Sequence, residues 1–289
     1  MSPRPMPVPA AFAGLDALRI LVPLLVSLAA TPSMALGAFE LRDASPVALG
    51  SVSMDREARG FFDEVPRRGF GFVASHASLH GVEGLASEQA RASLDSGALG
   101  IDLAHAQTGA PGLREHATRL TLREGAARLV SLSARAERLV LTLEGEPRVE
   151  AWTLGAGARG HAPLGSVRLE VEVSADRVWR GGDAERLALA PAVPWSVGLR
   201  AQAARLEVAD HWEGDGRTSP RLVLDVRAGR LLALRFGRGE RPGRTGAAAA
   251  VRVRRLEVAV GRWDDEYGGS VSSLSLRLVP GIAESGGKR

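Results

Sequence analysis

Val167-Arg168-Leu169-Glu170-Val171-Glu172-Val173-Ser174 decides the fold class, because apolar and polar residues alternate through it without a break. Successive side chains of a strand point to opposite faces, so Val167, Leu169, Val171 and Val173 share one face and Arg168, Glu170, Glu172 and Ser174 the other. A helix, with its period of roughly 3.6 residues, would scatter both sets around its circumference. The pattern recurs: Val130, Leu132 and Ala134 alternate with Ser131, Ser133 and Arg135; Leu222, Leu224 and Val226 with Val223, Asp225 and Arg227; Leu256, Val258 and Val260 with Glu257, Ala259 and Gly261. The chain is all-β.

Alternation alone fits a soluble sandwich with its apolar faces inward or a membrane barrel with them outward. A repeat separates the two. Arg205-Leu206-Glu207-Val208, Arg230-Leu231-Leu232-Ala233 and Arg255-Leu256-Glu257-Val258 begin 25 residues apart, each opening a strand. Brief connections fall near Ala203-Ala204, Ala228-Gly229 and Arg254-Arg255, where the side-chain phase also flips. Longer ones fall at Glu213–Arg217, Gly239–Gly243 and Asp264–Gly268. Short turns at one rim and longer loops at the other predict a transmembrane up-and-down antiparallel β-barrel over residues 69–279, with about fourteen strands, or twelve as the alternative. The runs expected before the repeat region are 69–79, 88–94, 98–107, 114–122, 127–135, 138–144, 148–157, 166–178 and 192–202, with five more strands to follow. Ser87–Leu94 also reads as a short helix capped by Ser87.

The ends of the chain have other characters. Arg4 and Arg19 precede the apolar run Ile20–Ala30 and the small residues around Ala35 and Gly37, the order of a secretory signal peptide, expected over 1–37. Residues 38–68 read as an irregular segment and 280–289 as a flexible polar tail. No later stretch is apolar for the roughly 20 residues of a spanning helix, so membrane insertion would use strands. The chain has no cysteine, which excludes disulfides and thiol chemistry. The pI of about 10.6 accompanies a net charge of only +4 and reflects Arg in place of Lys, so no nucleic-acid partner is expected.

Phe39–Ser53, the strand Gly69-Phe70-Gly71-Phe72-Val73-Ala74-Ser75-His76 and Gly81-Val82-Glu83-Gly84-Leu85 resemble the start of PorV-like outer-membrane proteins, which belong with the FadL-type long-chain fatty-acid transporters. The Asn-Pro-Ala box of that family is absent. The resemblance implies a fourteen-stranded barrel and an N-terminal segment able to enter the lumen. It also implies partners among outer-membrane lipids and either hydrophobic small molecules or secretion-system proteins. Location is expected in the outer membrane, with a soluble periplasmic or secreted binding protein as the alternative.

Catalytic and cofactor motifs do not survive their contexts. Gly155-Ala156-Gly157-Ala158-Arg159-Gly160 has dinucleotide-fingerprint spacing, but Pro163 and Gly165 follow where a helix would have to start. His76 and His80 are too far apart in a strand to imitate a helical metal pair, and Asp264, Asp265 and Glu266 lack calcium-loop spacing. With no G-x-S-x-G elbow either, neither an enzyme nor a cofactor is expected. The candidate functional residues are the inward charges Arg168, Glu170, Glu172, Arg200, Asp225, Arg227 and Arg235, expected to line the lumen. Trp179, Trp212 and Trp263, each closing a strand before a longer loop, are expected at the membrane interface.

Overall fold

A computed structural model of the 289-residue chain describes residues 69–79, 84–124, 129–187, 189–213, 218, 220–229, 231–240, 243–265 and 269–278. The expected signal peptide (1–37), irregular segment (38–68) and polar tail (280–289) lie outside the described residues.

Alternating runs become strands. They are β1 (Gly69–Ser78), β2 (Ala86–Asp95), β3 (Leu99–Ala110), β4 (Leu113–Glu124), β5 (Val130–Leu143), β6 (Val149–Leu164) and β7 (Val167–Gly182). The second half adds β8 (Ala192–Arg200), β9 (Ala204–Glu213), β10 (Arg221–Ala228), β11 (Leu232–Gly239), β12 (Arg244–Val253), β13 (Leu256–Asp265) and β14 (Ser270–Leu278). Each pairs antiparallel with its sequence neighbours, and β14 pairs with β1 from Phe72↔Leu278 to Ser78↔Ser272, which closes the sheet into a fourteen-stranded barrel. Closure leaves no edge, so backbone groups are satisfied strand to strand around the circumference.

Two expected boundaries are corrected, and they cancel in the count. The runs 127–135 and 138–144 are one strand, β5, because Arg135, Glu137 and Leu139 keep one inward phase through it. The repeat region holds six strands where five were expected, the last being β14. Ser87–Leu94 is strand, not helix: β2 pairs along its whole length with β1, from Gly69↔Asp95 to Ser78↔Ala86.

The rims follow the expected inequality in the repeat region. Residues 201–203, 229–231 and 254–255 join strands at one rim, and 214–220, 240–243 and 266–269 at the other. Arg254 takes a left-handed backbone conformation (φ 54°) to complete the two-residue turn at which the side-chain phase flips.

The apolar faces point out. Leu103, Leu132, Val173, Leu224, Val260 and Leu276 are all exposed, while the alternate positions Asp102, Glu137, Glu170, Glu207 and Glu257 are buried. A soluble sandwich requires the reverse. Toward the longer-loop rim the outer face turns polar, with His76 near Glu88 (3.5 Å), His105 hydrogen-bonded to Thr118 (2.9 Å), Arg138 paired with Glu150 (2.7 Å) and Arg262 with Asp264 (3.2 Å). These pairs border the apolar belt. A closed barrel with this exterior spans a bilayer, and the outer membrane is the home of such barrels.

The barrel lumen as candidate functional site

Toward the short-turn rim the inward positions carry paired charges, with an apolar patch of Ala233, Ala248, Ala250 and Ala259 among them. Arg91 on β2 pairs with Asp102 on β3 (3.2 Å), Arg119 on β4 with Glu137 on β5 (3.0 Å), Asp225 on β10 with Arg235 on β11 (2.6 Å) and Arg252 on β12 with Glu257 on β13 (2.8 Å). Glu170 on β7 is a hub: its carboxylate lies 3.8 Å from Arg159 on β6, 3.2 Å from Arg200 on β8 and 3.0 Å from Arg205 on β9. Opposite charges on neighbouring strands stabilise the pairing, and here they also fill the barrel wall.

Some bridges skip a strand, and a glycine lies beneath each. Arg123 on β4 reaches Asp95 on β2 (3.1 Å) over Gly100 of β3, where a Cβ would collide with the Arg123 side chain. Arg135 on β5 pairs with Asp176 on β7 over Gly155 of β6, which is the register partner of Arg135. Arg205 reaches Glu170 over Gly198 of β8, which is the register partner of both Glu170 and Glu207. Guanidinium groups need a bare backbone to lie across. Gly100→Val is therefore expected to eject Arg123 from its place between Asp95 and Asp102 and to cost about 1–3 kcal/mol by overpacking. A lowered unfolding temperature, followed by heat-modifiable electrophoresis, checks it.

The Gly155–Gly160 stretch belongs to this scheme. It lies within strand β6, and a Cβ on Gly157 would sit 2.9 Å from the Ser133 hydroxyl, so its glycines answer to packing. Among the described residues no cluster of His, Asp and Glu could hold a metal ion.

Toward the longer-loop rim two clusters of inward positions are apolar, beside the buried, hydrogen-bonded pair Ser87 and Thr108 (3.0 Å). Ala117, Leu139, Val149 and Ala151 on β4–β6 pack with Ala184, Leu187 and Leu189 from the β7–β8 connection. Elsewhere on that rim Ala77, Leu79, Trp263 and Val271 form a second cluster, joined by Leu85.

Of the candidate residues, Glu170 and Arg235 are buried on the inner wall, while Arg168, Glu172, Arg200, Asp225 and Arg227 are partly buried at positions of the same inward phase. Glu170, Arg200, Asp225 and Arg235 enter the ion pairs above, and Arg168 is the register partner of Arg200. Sequence reasoning missed Arg91, Asp95, Asp102, Arg123 and Arg135, although each alternates with outward apolar residues. The second usable signal was the glycine beneath a charge two strands long in reach.

The tryptophans divide. Trp179 is on the outer face and 53% exposed. Trp263 corrects the expectation of an interface residue: it is 1% exposed and lies under the Arg244 guanidinium, 4.3 Å from the ring centroid. It shares the phase of Glu257, Ala259 and Gly261, which is inward. The Trp212 side chain lies outside the described residues, and the outer face carries Trp152 and Trp195 instead.

No protein-family model matches the chain, and no curated protein matches it. Among solved structures it is similar to the Acinetobacter baumannii outer membrane protein Omp33, with 9% identity, a TM-score of 0.47, and coverage of 73% of this chain and 98% of that one. CdiB from Acinetobacter baumannii aligns at 9% identity and TM-score 0.42 over 73% of this chain, which spans 60% of the CdiB chain. A KdgM porin in complex with disordered oligogalacturonate aligns at 4% identity and TM-score 0.40 over 72% of this chain and 98% of that one. All are barrel likenesses; the assignment of the fold rests on the β1–β14 closure.

Proposed function

We propose that the protein is a non-catalytic outer-membrane barrel that admits a hydrophobic compound through its longer-loop mouth, the uptake role implied by its resemblance to PorV-like and FadL-type proteins. The observation that carries the reading is a pair of apolar clusters in that mouth, Ala117, Leu139, Val149 and Ala151 on one side and Ala77, Trp263 and Val271 on the other. Water-filled pores have polar interiors throughout. Clusters of alanine, valine and leucine at the entrance favour an apolar solute over a hydrated one. With short turns toward the periplasm, as expected for such barrels, this mouth opens outward.

The test is entry of the fluorescent apolar dye 1-N-phenylnaphthylamine into intact cells with and without the protein, alongside sugar permeation in swelling assays on liposomes containing it. Faster dye entry without sugar-driven swelling is expected. Sugar permeation without dye entry would make the barrel a hydrophilic pore. Neither flux, together with loss of secreted or surface-attached proteins on deletion, would favour the secretion role instead.

A further inference from the structure

Between β7 and β8 the described residues 183–187 and 189–191 turn into the barrel rather than away from it. Its side chains Ala184, Leu187 and Leu189 are 6%, 5% and 3% exposed, all against the lumen wall. Entry into the lumen begins at Gly182, whose backbone is left-handed (φ 66°) and where a Cβ would lie 2.6 Å from the Glu150 carbonyl oxygen.

Hydrogen bonds fasten the loop at its base. The Asp183 N–H donates to the Glu150 carbonyl (2.7 Å), and the Asp183 carboxylate accepts from the Glu150 N–H (3.2 Å). Arg180 and Arg177 donate to the Leu189 and Ala190 carbonyls at 2.5 and 3.4 Å. Further contacts are internal, Leu187 N–H to the Asp183 carbonyl and Leu189 N–H to the Ala184 carbonyl, both 3.2 Å, and Arg186 to the Asp183 carboxylate at 3.9 Å. Against Ala117, Leu139, Val149 and Ala151 the loop makes apolar contact. Such contact is non-directional, so another apolar group of similar size can take it over.

We propose that this wall is a ligand seat that the protein fills with its own loop: Leu187 and Leu189 stand where the apolar chain of an entering compound binds, and the compound enters by displacing them. The inference rests on the uptake reading above and adds to it the place of binding and a closed resting state. The seat would take a slender aliphatic or aryl group, since two of its four wall residues are alanine and none is charged. Loop and compound compete, so the affinity measured for the compound is reduced by the fraction of time the loop is docked.

The chain has no cysteine, which makes a single reporter clean. Leu187→Cys in the full chain, held in native outer-membrane vesicles to avoid detergent in the seat, should react slowly with a maleimide, and 1-N-phenylnaphthylamine should accelerate the reaction at least about fivefold. In the Leu187→Ser/Leu189→Ser variant the dye should bind at least about fivefold more tightly than to the parent, because the competitor is gone. Dye binding that neither speeds labelling nor tightens in the double variant overturns the displaced loop but leaves the uptake reading standing. Fast labelling before dye is added shows an empty seat and overturns it as well. Absence of dye binding to both forms overturns the inference together with the reading beneath it.

Discussion

Glu170→Ala is expected to cost about 3–5 kcal/mol of barrel stability, the loss typical when one partner is removed from a buried ion-pair cluster. The Glu170 side chain is 3% exposed, and the guanidinium groups of Arg159, Arg200 and Arg205 converge on it from strands β6, β8 and β9. Without the carboxylate, three positive charges face one another in a confined space. Arg205 retains Glu207 at 2.8 Å, which softens the loss without replacing the hub. Glu170→Gln should lose less, since the amide oxygen still accepts a hydrogen bond while the charge is gone. Urea unfolding in lipid vesicles, followed by tryptophan fluorescence, measures both. A Glu170→Ala barrel as stable as the parent would show that the girdle is solvated by lumen water and not a structural network.

The second large effect belongs to the outer wall. Leu276 lies on β14 opposite Ala74 of β1 and Val258 of β13, and it is 46% exposed. Leu276→Arg puts a guanidinium into hydrocarbon and is expected to cost about 2–4 kcal/mol, whereas Ser272→Arg, further along the same face near the polar border, should cost about 0–1 kcal/mol. The contrast within one strand separates lipid depth from any general intolerance of arginine. Equal costs, or a neutral Leu276→Arg, would mean that this face does not meet lipid. The same assay serves both variants, so the two sides of the wall can be compared directly.

These two residues also mark how far the sequence could be read. Glu170 and Leu276 sit on opposite faces of their strands by alternation alone, and the alternation at Val167–Ser174 was enough to place the charges together on one side. Parity is local, which is why it is legible. The same rule placed Trp263 in phase with Glu257, Ala259 and Gly261, and the expectation of an interface position went astray by weighing residue type and loop proximity above phase. The strand count came out right through two opposite errors, at β5 and β14, since breaks within an alternating run depend on which neighbour each segment pairs with.

Closure and the contents of the lumen belong to the tertiary structure. Pairing of β14 with β1 joins segments nearly the whole barrel apart in sequence, and no local pattern at either end encodes it. The skip-strand bridges over Gly100, Gly155 and Gly198 need three strands in fixed register before an arginine and its carboxylate come within reach. The inward turn of the β7–β8 loop likewise depends on a wall of alanine, valine and leucine supplied by β4, β5 and β6. The sequence by itself determined that the chain is all-β, with one apolar and one polar face on each strand, because side-chain direction in a strand is set residue by residue. Which face meets lipid, and what the other face encloses, was decided only when the sheet closed, because inside and outside exist only for a closed surface.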